Sequence, residues 1–362
     1  MQCIKVFCAP MENREGLDMY APVVIPTLNR YDHLVRCIES LKRNSLACET
    51  ELFISLDYPP AEKYFEGYEK VRQYLESELL CGFKKVNIFF QSKNLGPTGN
   101  WSFLVEQVCL KYDRYIFTED DNEFSPNFLD YLNKGLDLFE NDEEVFAVCG
   151  YRNEKPWKFD DGNVIKLCIF HAWGYATWVK KEQKCYQWIC RDNFERLVHN
   201  KRACDFLYNT RYKAYYTFIE TLLANPSDYT SVYIRQNGEI GWIDYTIAIY
   251  MIMFSKCCVL PKVSMVRNWG YDGSGVNCGN VDLDGQREKE IDDRQVFEYV
   301  IPEVFKISDA NKKLNTDMEY RKLAKRAKFF RTIMCIIGIP AARKINNAIY
   351  KFGSFMKLKN WR

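Results

Sequence analysis

The chain has 362 residues, 47% of them hydrophobic and 27% charged, with a formal net charge of +2. That composition excludes a disordered chain and predicts one large or two ordinary folded domains. The near-balanced charge excludes a protein drawn to nucleic acid by its overall field, so any basic surface must come from local clustering. The fifteen cysteines run from Cys3 to Cys335 with neither a CxxC pair nor the histidine spacing of a zinc site, and they read as mostly reduced thiols. The N-terminal run MQCIKVFCAPMENREGL has no apolar core before its first acids, which predicts neither a signal peptide nor an N-terminal anchor, and hence a cytoplasmic setting.

From Pro22 to about Phe170, short β-rich runs alternate with helical periods, the pattern of an α/β sheet with crossover helices. The predicted strands are PVVI from Pro22, ELFISL from Glu51, VNIFF from Val86, RYIFT from Arg114, VFAVCG from Val145 and VIKLCIF from Val164. After the first, Leu34, Cys37, Ile38 and Leu41 recur at helical spacing, with Asn29 as the predicted N-cap. After the third, Trp101, Leu104, Val105 and Val108 repeat the pattern. After the fourth, Ser125 followed by Pro126 predicts a helix start.

The densest chemistry lies between that fourth strand and its helix, where Thr118 to Glu123 read TEDDNE. Carboxylates at the C-terminal end of a strand lie where open α/β sheets bind ligands. Three adjacent acids repel one another unless a cation or donors compensate, which points to a divalent metal, although an acidic turn capping the next helix is also compatible with the run. The first strand ends in Pro26, Thr27, Leu28, Asn29 and Arg30, and the second in Ser55, Leu56 and Asp57. The third is followed by a turn-rich loop from Asn94 to Asn100. Four strands thus bring polar loops to one edge.

The runs VVIPTLNRYDHLVRCIESL, FISLD, NLGPTGNW and YIFTEDDNEFSPNF resemble the donor-binding half of GT-A glycosyltransferases, both bacterial family 2 enzymes of capsule and lipopolysaccharide synthesis and the N-acetylglucosaminyltransferase I family. The resemblance implies a Rossmann-like mixed sheet flanked by helices and a cofactor of Mn2+ or Mg2+ on Asp121. Asp120 would sit by the ribose or the metal's water shell, and Glu119 near the donor sugar. Asp57 would read the uridine or ribose, Arg30 the phosphates or base, and Pro26, Thr27, Asn29, Asn94 and Asn100 would line the nucleotide pocket.

In the second half, FHAWGYATWVKKE resembles the WGWATW stretch of the bacterial enzymes, which makes Trp173, Gly174 and Tyr175 the acceptor-binding candidates and leaves Trp178 to the core. The run GEIGWIDY ahead of an apolar helical stretch puts Asp244 at a helix N-terminus, where the dipole keeps a carboxylate ionised. By resemblance Asp244 is the catalytic base, and a plain N-cap is the alternative. The Gly-rich segment Arg267–Gly279 is expected to be irregular, a lid in which Asp272, Gly273, Ser274 and Gly275 close over the donor and Asp272 is the fallback base. His171 and His199 have no partner pattern, and His171 is a secondary candidate beside the acceptor residues.

The reading places a glycosyltransferase domain over 1–320, its donor half at 21–150 and its acceptor half at 151–300. Residues 321–362 follow as a basic tail with twelve Lys or Arg and no Asp or Glu. Interleaved with FF and IMCIIGI, that tail reads as an amphipathic helical segment suited to the inner face of an anionic membrane, with an ordinary solvated helix packed on the domain as the alternative. The expected activity is inverting transfer of a sugar from a nucleotide-diphosphate donor, UDP-linked by the resemblance, to a glycan or lipid-linked glycan, without nucleic acid as a partner. The competing classes are a sugar nucleotidyltransferase and a nucleotide-sugar-binding scaffold without turnover.

Overall fold

A computed structural model describes residues 20–77, 80–152, 161–224, 243–275, 279–282, 285–303, 305 and 318–359, with the backbone alone at 243–245, 318–319 and 350–359. The described residues fall into two compact units, one from Met1–Lys184 and Cys257–Ser308, the other from Cys185–Lys256 and Asp309–Arg362.

The first unit is built on strands β1 (Val23–Thr27), β2 (Glu51–Leu56), β3 (Lys85–Phe90), β4 (Arg114–Phe117), β5 (Asn122–Phe124), β6 (Val145–Cys149), β7 (Val164–Leu167), β8 (Tyr175–Trp178), β9 (Cys257–Pro261) and β10 (Val266–Asn268). Its helices are α1 (Tyr31–Lys42), α2 (Phe65–Leu75), α3 (Gly96–Cys109) and α4 (Phe128–Leu138), and α5 (Val179–Trp188) carries the chain onward. Eight strands form one mixed sheet in the order β3-β2-β1-β4-β8-β6-β9-β7, and β5 pairs with β10 in a small second sheet. Strands β1 to β4 are mutually parallel, whereas β8 runs antiparallel to both β4 and β6. All six predicted strands are present.

Strands β1 and β2 are apolar and buried because helices cover the sheet around them. Helix α1 turns Leu34, Cys37, Ile38 and Leu41 into that core, and α3 turns in Trp101, Leu104, Val105 and Val108, matching the periodicity of the sequence. Each such aliphatic side chain contributes roughly 1.5–3 kcal/mol by leaving water.

Two helix starts differ from expectation. Arg30, rather than Asn29, precedes α1, and it makes no side-chain cap. Helix α4 begins at Phe128 after Asn127, because Ser125 is still engaged with the small sheet: its N–H donates to the Met265 carbonyl (2.9 Å) and its hydroxyl to Asn127 Oδ1 (2.9 Å). The Arg267–Gly279 segment is also more regular than its glycines suggest, since Val266–Asn268 pairs with Asn122–Phe124 of the acidic run itself.

Helix α5 places Glu182 in the core, 3% exposed, where it accepts from the Tyr115 hydroxyl and, at 3.2 Å, from that of Tyr175. Burial pushes its carboxyl up to about 7, against the lowering effect of those two hydrogen bonds.

The second unit is helical: α6 (Arg191–His199), α7 (Lys201–Thr210), α8 (Tyr212–Leu223), α9 (Ile243–Met253), α10 (Met318–Ile337) and α11 (Ile339–Lys359). Helix α8 is its centre, buried continuously from Ala214 to Leu223. The basic C-terminal segment is two helices packed on α8, with Arg343 Nη2 donating to the Leu222 carbonyl (3.0 Å) and Arg326 bonded to Asn346 Oδ1 (2.6 Å). Ala324, Ala327, Phe330 and Met334 of α10 face inward, and Lys322, Lys325, Phe329 and Ile336 face outward. Among the described residues no helix is long and apolar enough to cross a membrane.

Candidate active site

Because β1 to β4 are parallel, their C-terminal ends share one edge of the sheet, and the polar loops expected there converge. Arg30, just past β1, reaches the acidic run past β4: Nη1 donates to Asp121 Oδ2 at 2.7 Å and Nη2 bonds to Asp120 Oδ1. The remaining carboxylate oxygens are held by neutral donors, the Thr27 hydroxyl on Asp120 Oδ2 (2.7 Å) and Asn268 Nδ2 on Asp121 Oδ1 (2.9 Å). Both aspartates are 3% exposed.

Charge and burial compete in this cluster. Burial works to lower the Arg30 pKa, but Asp120, Asp121 and Glu119 outweigh it and hold the guanidinium far above its usual range. Burial raises the Asp121 carboxyl, Arg30 opposes that rise, and Asp120 adds to it. A lone buried carboxylate pair would be unstable without such a cation.

The loop after β10 is fastened to the same run. Trp269 N–H donates to the Asp121 carbonyl (2.8 Å) and its indole N–H to Glu123 Oε2 (2.9 Å), while Gly270 N–H donates to Asn268 Oδ1 (3.0 Å). A Cβ at Gly270 would stand 2.3 Å from Asp121 Oδ2, so only glycine lets the backbone pass there.

Beside this cluster opens a cavity of about 710 Å³, lined by Asn29, Arg30, His33, Arg36, Trp269, Asp272, Ser274 and Arg287 among others. Arg36 stacks over the Trp269 ring at 4.1 Å and, among the described residues, meets no carboxylate. Arg287 bonds to the Tyr271 carbonyl and leaves its Nε without a partner. His33 Nδ1 faces Arg36 Nη1 at 3.4 Å, which makes Nε2 the protonated nitrogen that donates to Asp272 Oδ2 at 2.8 Å. Asp272 also accepts from the Ser274 N–H (2.9 Å) and hydroxyl (2.6 Å). Burial pushes its pKa up, but these Ser274 bonds and His33 prevail and hold it well below the usual carboxylate range.

A divalent cation fits this donor set. Two consecutive carboxylates share one guanidinium, Arg30 stands in as the cation against Asp121, and the position beside Asp121 Oδ2 that a Cβ would fill is kept free of a side chain by Gly270. Among the described residues no three His, Cys, Asp or Glu side chains converge as a ready-made cage, so a cation here would draw on Asp121 together with ligand phosphates.

The other expected residues sort by position. Asn29, Arg30, Asp272 and Ser274 line the cavity, and Gly273 (φ +80°) and Gly275 complete the turn that carries the last two. Asp57 is 4% exposed and acts as a clamp, accepting from Tyr58 N–H (2.9 Å), Leu95 N–H (2.8 Å) and Asn94 Nδ2 (3.2 Å). Burial raises its pKa against those backbone donors. Asn100 is 2% exposed and bonded to Ser55, beneath the edge rather than on it. Pro26 is part of β1 itself.

Trp173 is partly exposed and packs edge-on to Tyr151 (4.7 Å) and Tyr271 (6.2 Å), close to the loop that bears Asp272. Gly174 has φ +74°, and a Cβ there would crowd the Phe128 ring at 3.0 Å. Tyr175, expected to meet the acceptor, is instead 3% exposed between Phe117 and Phe170 in strand β8, which leaves it no face for a sugar. His171 packs edge-on to Tyr151 at 4.8 Å and does not line the cavity. Asp244 stands second in α9, at a helix start as expected, and its side chain lies outside the described residues.

Sequence reasoning missed His33, Arg36, Trp269 and Arg287. The signal for the first two was available: they follow Arg30 at steps of three, so they share its side of α1.

Residues 23–196 match the model of glycosyl transferase family 2. Over that stretch the fold is of the GT-A type and the sequence is similar to family 2 glycosyl transferases. A comparison with curated proteins finds no match. Among solved structures, TarS 1–349 of S. aureus is 14% identical over 46% of this chain and 50% of that one, with a TM-score of 0.32. The mannosyltransferase PcManGT from Pyrobaculum calidifontis, in complex with GDP-Man and Mn2+, is 14% identical over 46% of each chain, with a TM-score of 0.33. Mouse xyloside xylosyltransferase 1 is 10% identical over 49% of this chain and 74% of that one, at 0.31. The matches span 30% to 50% of the length of the first of these structures.

Proposed function

We propose that the protein is an inverting glycosyltransferase that moves a sugar from a nucleoside-diphosphate sugar, with uridine as the base, to a hydroxyl of a glycan or lipid-linked glycan in cell-surface polysaccharide synthesis. One observation carries this reading: the Arg30–Asp120–Asp121 cluster borders a cavity of about 710 Å³ lined by Arg36 and Arg287, whose guanidinium groups meet no carboxylate among the described residues. That volume suits a bound metabolite, and unpaired guanidinium groups suit a diphosphate.

In the proposed reaction Asp244 takes the proton of the acceptor hydroxyl, whose oxygen attacks the anomeric carbon from the face opposite the leaving group. The new glycosidic bond forms as the bond from the anomeric carbon to the diphosphate oxygen breaks, and the nucleoside diphosphate leaves with the electron pair. Arg36 and Arg287 hold that diphosphate, and Trp173 offers the acceptor a flat apolar surface. A divalent cation on Asp121, when bound, neutralises charge on the diphosphate. The turn with Asp272, Gly273, Ser274 and Gly275 excludes water that would otherwise hydrolyse the donor.

The test is a screen of UDP- and GDP-sugars with Mn2+, Mg2+ or EDTA, following nucleotide release with and without lipid-linked glycan extracts. Metal-dependent release from a UDP-sugar, stimulated by acceptor, is expected. Absence of donor binding under every condition would leave the scaffold reading, and pyrophosphate production from a sugar phosphate and a nucleoside triphosphate would establish a nucleotidyltransferase.

The outward face of α10 supports a membrane-surface setting for this activity. Phe329 is 60% and Ile336 75% exposed, two turns apart on the same side as Lys322 and Lys325. Apolar side chains ringed by cations suit an anionic headgroup layer, where each cation adds about 1 kcal/mol. In sedimentation with phosphatidylglycerol-containing vesicles, the double variant Phe329→Gln/Ile336→Gln is expected to bind roughly fivefold less than the parent. Equal binding of the parent to neutral phosphatidylcholine vesicles, or no loss in the variant, would sink the assignment.

A further inference from the structure

Arg30 bridges two carboxylates that play unequal parts. Asp120 is tied into the end of β1 by the Thr27 hydroxyl (2.7 Å) as well as by Arg30. Asp121 Oδ1 is tied to Asn268, but Asp121 Oδ2 has Arg30 Nη1 as its one hydrogen-bond donor among the described residues and lies beside Gly270, where no side chain stands. Arg30 itself is the most accessible member of the cluster: its side chain is 18% exposed, against 4% for Asp120 and 3% for Asp121, and it lines the large cavity.

From this asymmetry we infer that Arg30 is an exchangeable internal counter-ion, holding the cation position at Asp121 Oδ2 until a diphosphate in the cavity draws it away and a divalent metal takes its place. This rests on the transferase reading of the site and goes beyond it, because it makes donor and metal binding interdependent through one side chain. Without nucleotide, a metal must displace a guanidinium from a buried carboxylate, which weakens its binding. With a diphosphate beside Arg36 and Arg287, the guanidinium has a second anion within the same cavity, and Asp121 Oδ2 is released at little cost. By linkage each ligand then strengthens the other equally. Arg30 keeps Asp120 neutralised throughout if only its Nη1 end swings, so the exchange does not leave the acidic pair bare.

The experiment measures Mn2+ binding, from the loss of the free-ion electron paramagnetic resonance signal, for wild type, Arg30→Gln and Asp121→Asn, each with and without UDP. Wild type is expected to bind Mn2+ weakly alone and at least roughly tenfold more tightly with UDP. Arg30→Gln is expected to bind Mn2+ roughly tenfold more tightly than wild type without nucleotide, and to gain much less from UDP. Because UDP chelates Mn2+ in its own right, the deciding quantity is the excess of coupling in wild type over Arg30→Gln. If Arg30→Gln binds Mn2+ no more tightly than wild type in the absence of nucleotide, the exchange is overturned while the transferase reading stands. If no form binds Mn2+ even with UDP or GDP, or if Asp121→Asn binds as well as wild type, the reading of the site falls as well. Should Arg30→Gln fail to fold, Arg30→Lys keeps the charge without the two-pronged contact, and it is expected to show the same direction with a smaller change.

Discussion

Asp121→Asn is expected to lower nucleotide-sugar turnover by roughly a thousandfold, about 4 kcal/mol of transition-state stabilisation, while leaving the protein folded. The substitution keeps the shape of the side chain and removes its charge. Arg30 retains Asp120 as a partner, so the buried guanidinium is not stranded, and the Trp269 bond to position 121 involves only the backbone carbonyl. What is lost is the anionic oxygen that Arg30 Nη1 now holds. Initial rates of nucleotide release, read beside a thermal melt, separate the two effects. A residual rate above about a tenth of wild type in a well-folded variant would remove Asp121 from the chemistry.

Glu182→Gln is expected to stabilise the protein by about 3 kcal/mol at pH 8, with the advantage reduced to about 1 kcal/mol at pH 5. Burial raises the Glu182 carboxyl from 4.5 to about 7 in the fold. The folded state therefore holds a proton that the unfolded chain has released, and the stability present below pH 4.5 is lost as pH rises to about 7. Glutamine cannot ionise and escapes that loss, while its amide can still accept from one tyrosine and donate to the other. Urea unfolding of both forms at the two pH values gives the comparison. A stability difference that does not change between pH 5 and pH 8 would show that Glu182 does not ionise across this window.

The parallel core of the domain was legible because β1 and β2 are apolar on both faces and bounded by turns, and α1 and α3 bury the very positions that their spacing marks. The acidic run was legible for the same reason: it breaks sharply from the strand YIF. Pairings between distant segments were not. Strand β5 is three residues of a motif read as a turn, and its partner β10 lies inside a glycine-rich stretch, so neither has a local pattern. Strand β8 carried an aromatic and glycine signature that pointed to sugar binding, whereas its position between β4 and β6 puts Tyr175 in the core. Arg287 and Trp269 reach the cavity only through the path of the chain after β10. Nothing in the spacing of residues so far from Arg30 announces that they meet.

The β5–β10 pair also acts as a ruler for the charge at Asp121. Its register sets Asn268 opposite Asn122 and Arg267 opposite Glu123. Strand side chains alternate, so a slip of one residue would bring Arg267 to the place of Asn268. Asp121 would then hold a permanent positive neighbour where it now has a neutral amide, and no exchange with a soluble cation would follow. The main-chain bond from Ser125 to Met265 and the pairing of Val266 with Phe124 lie on the far side of the ribbon from the carboxylates. They fix the count of residues before the loop reaches the site, so the length of chain between Gly270 and Arg287 can vary without altering which side chain meets Asp121.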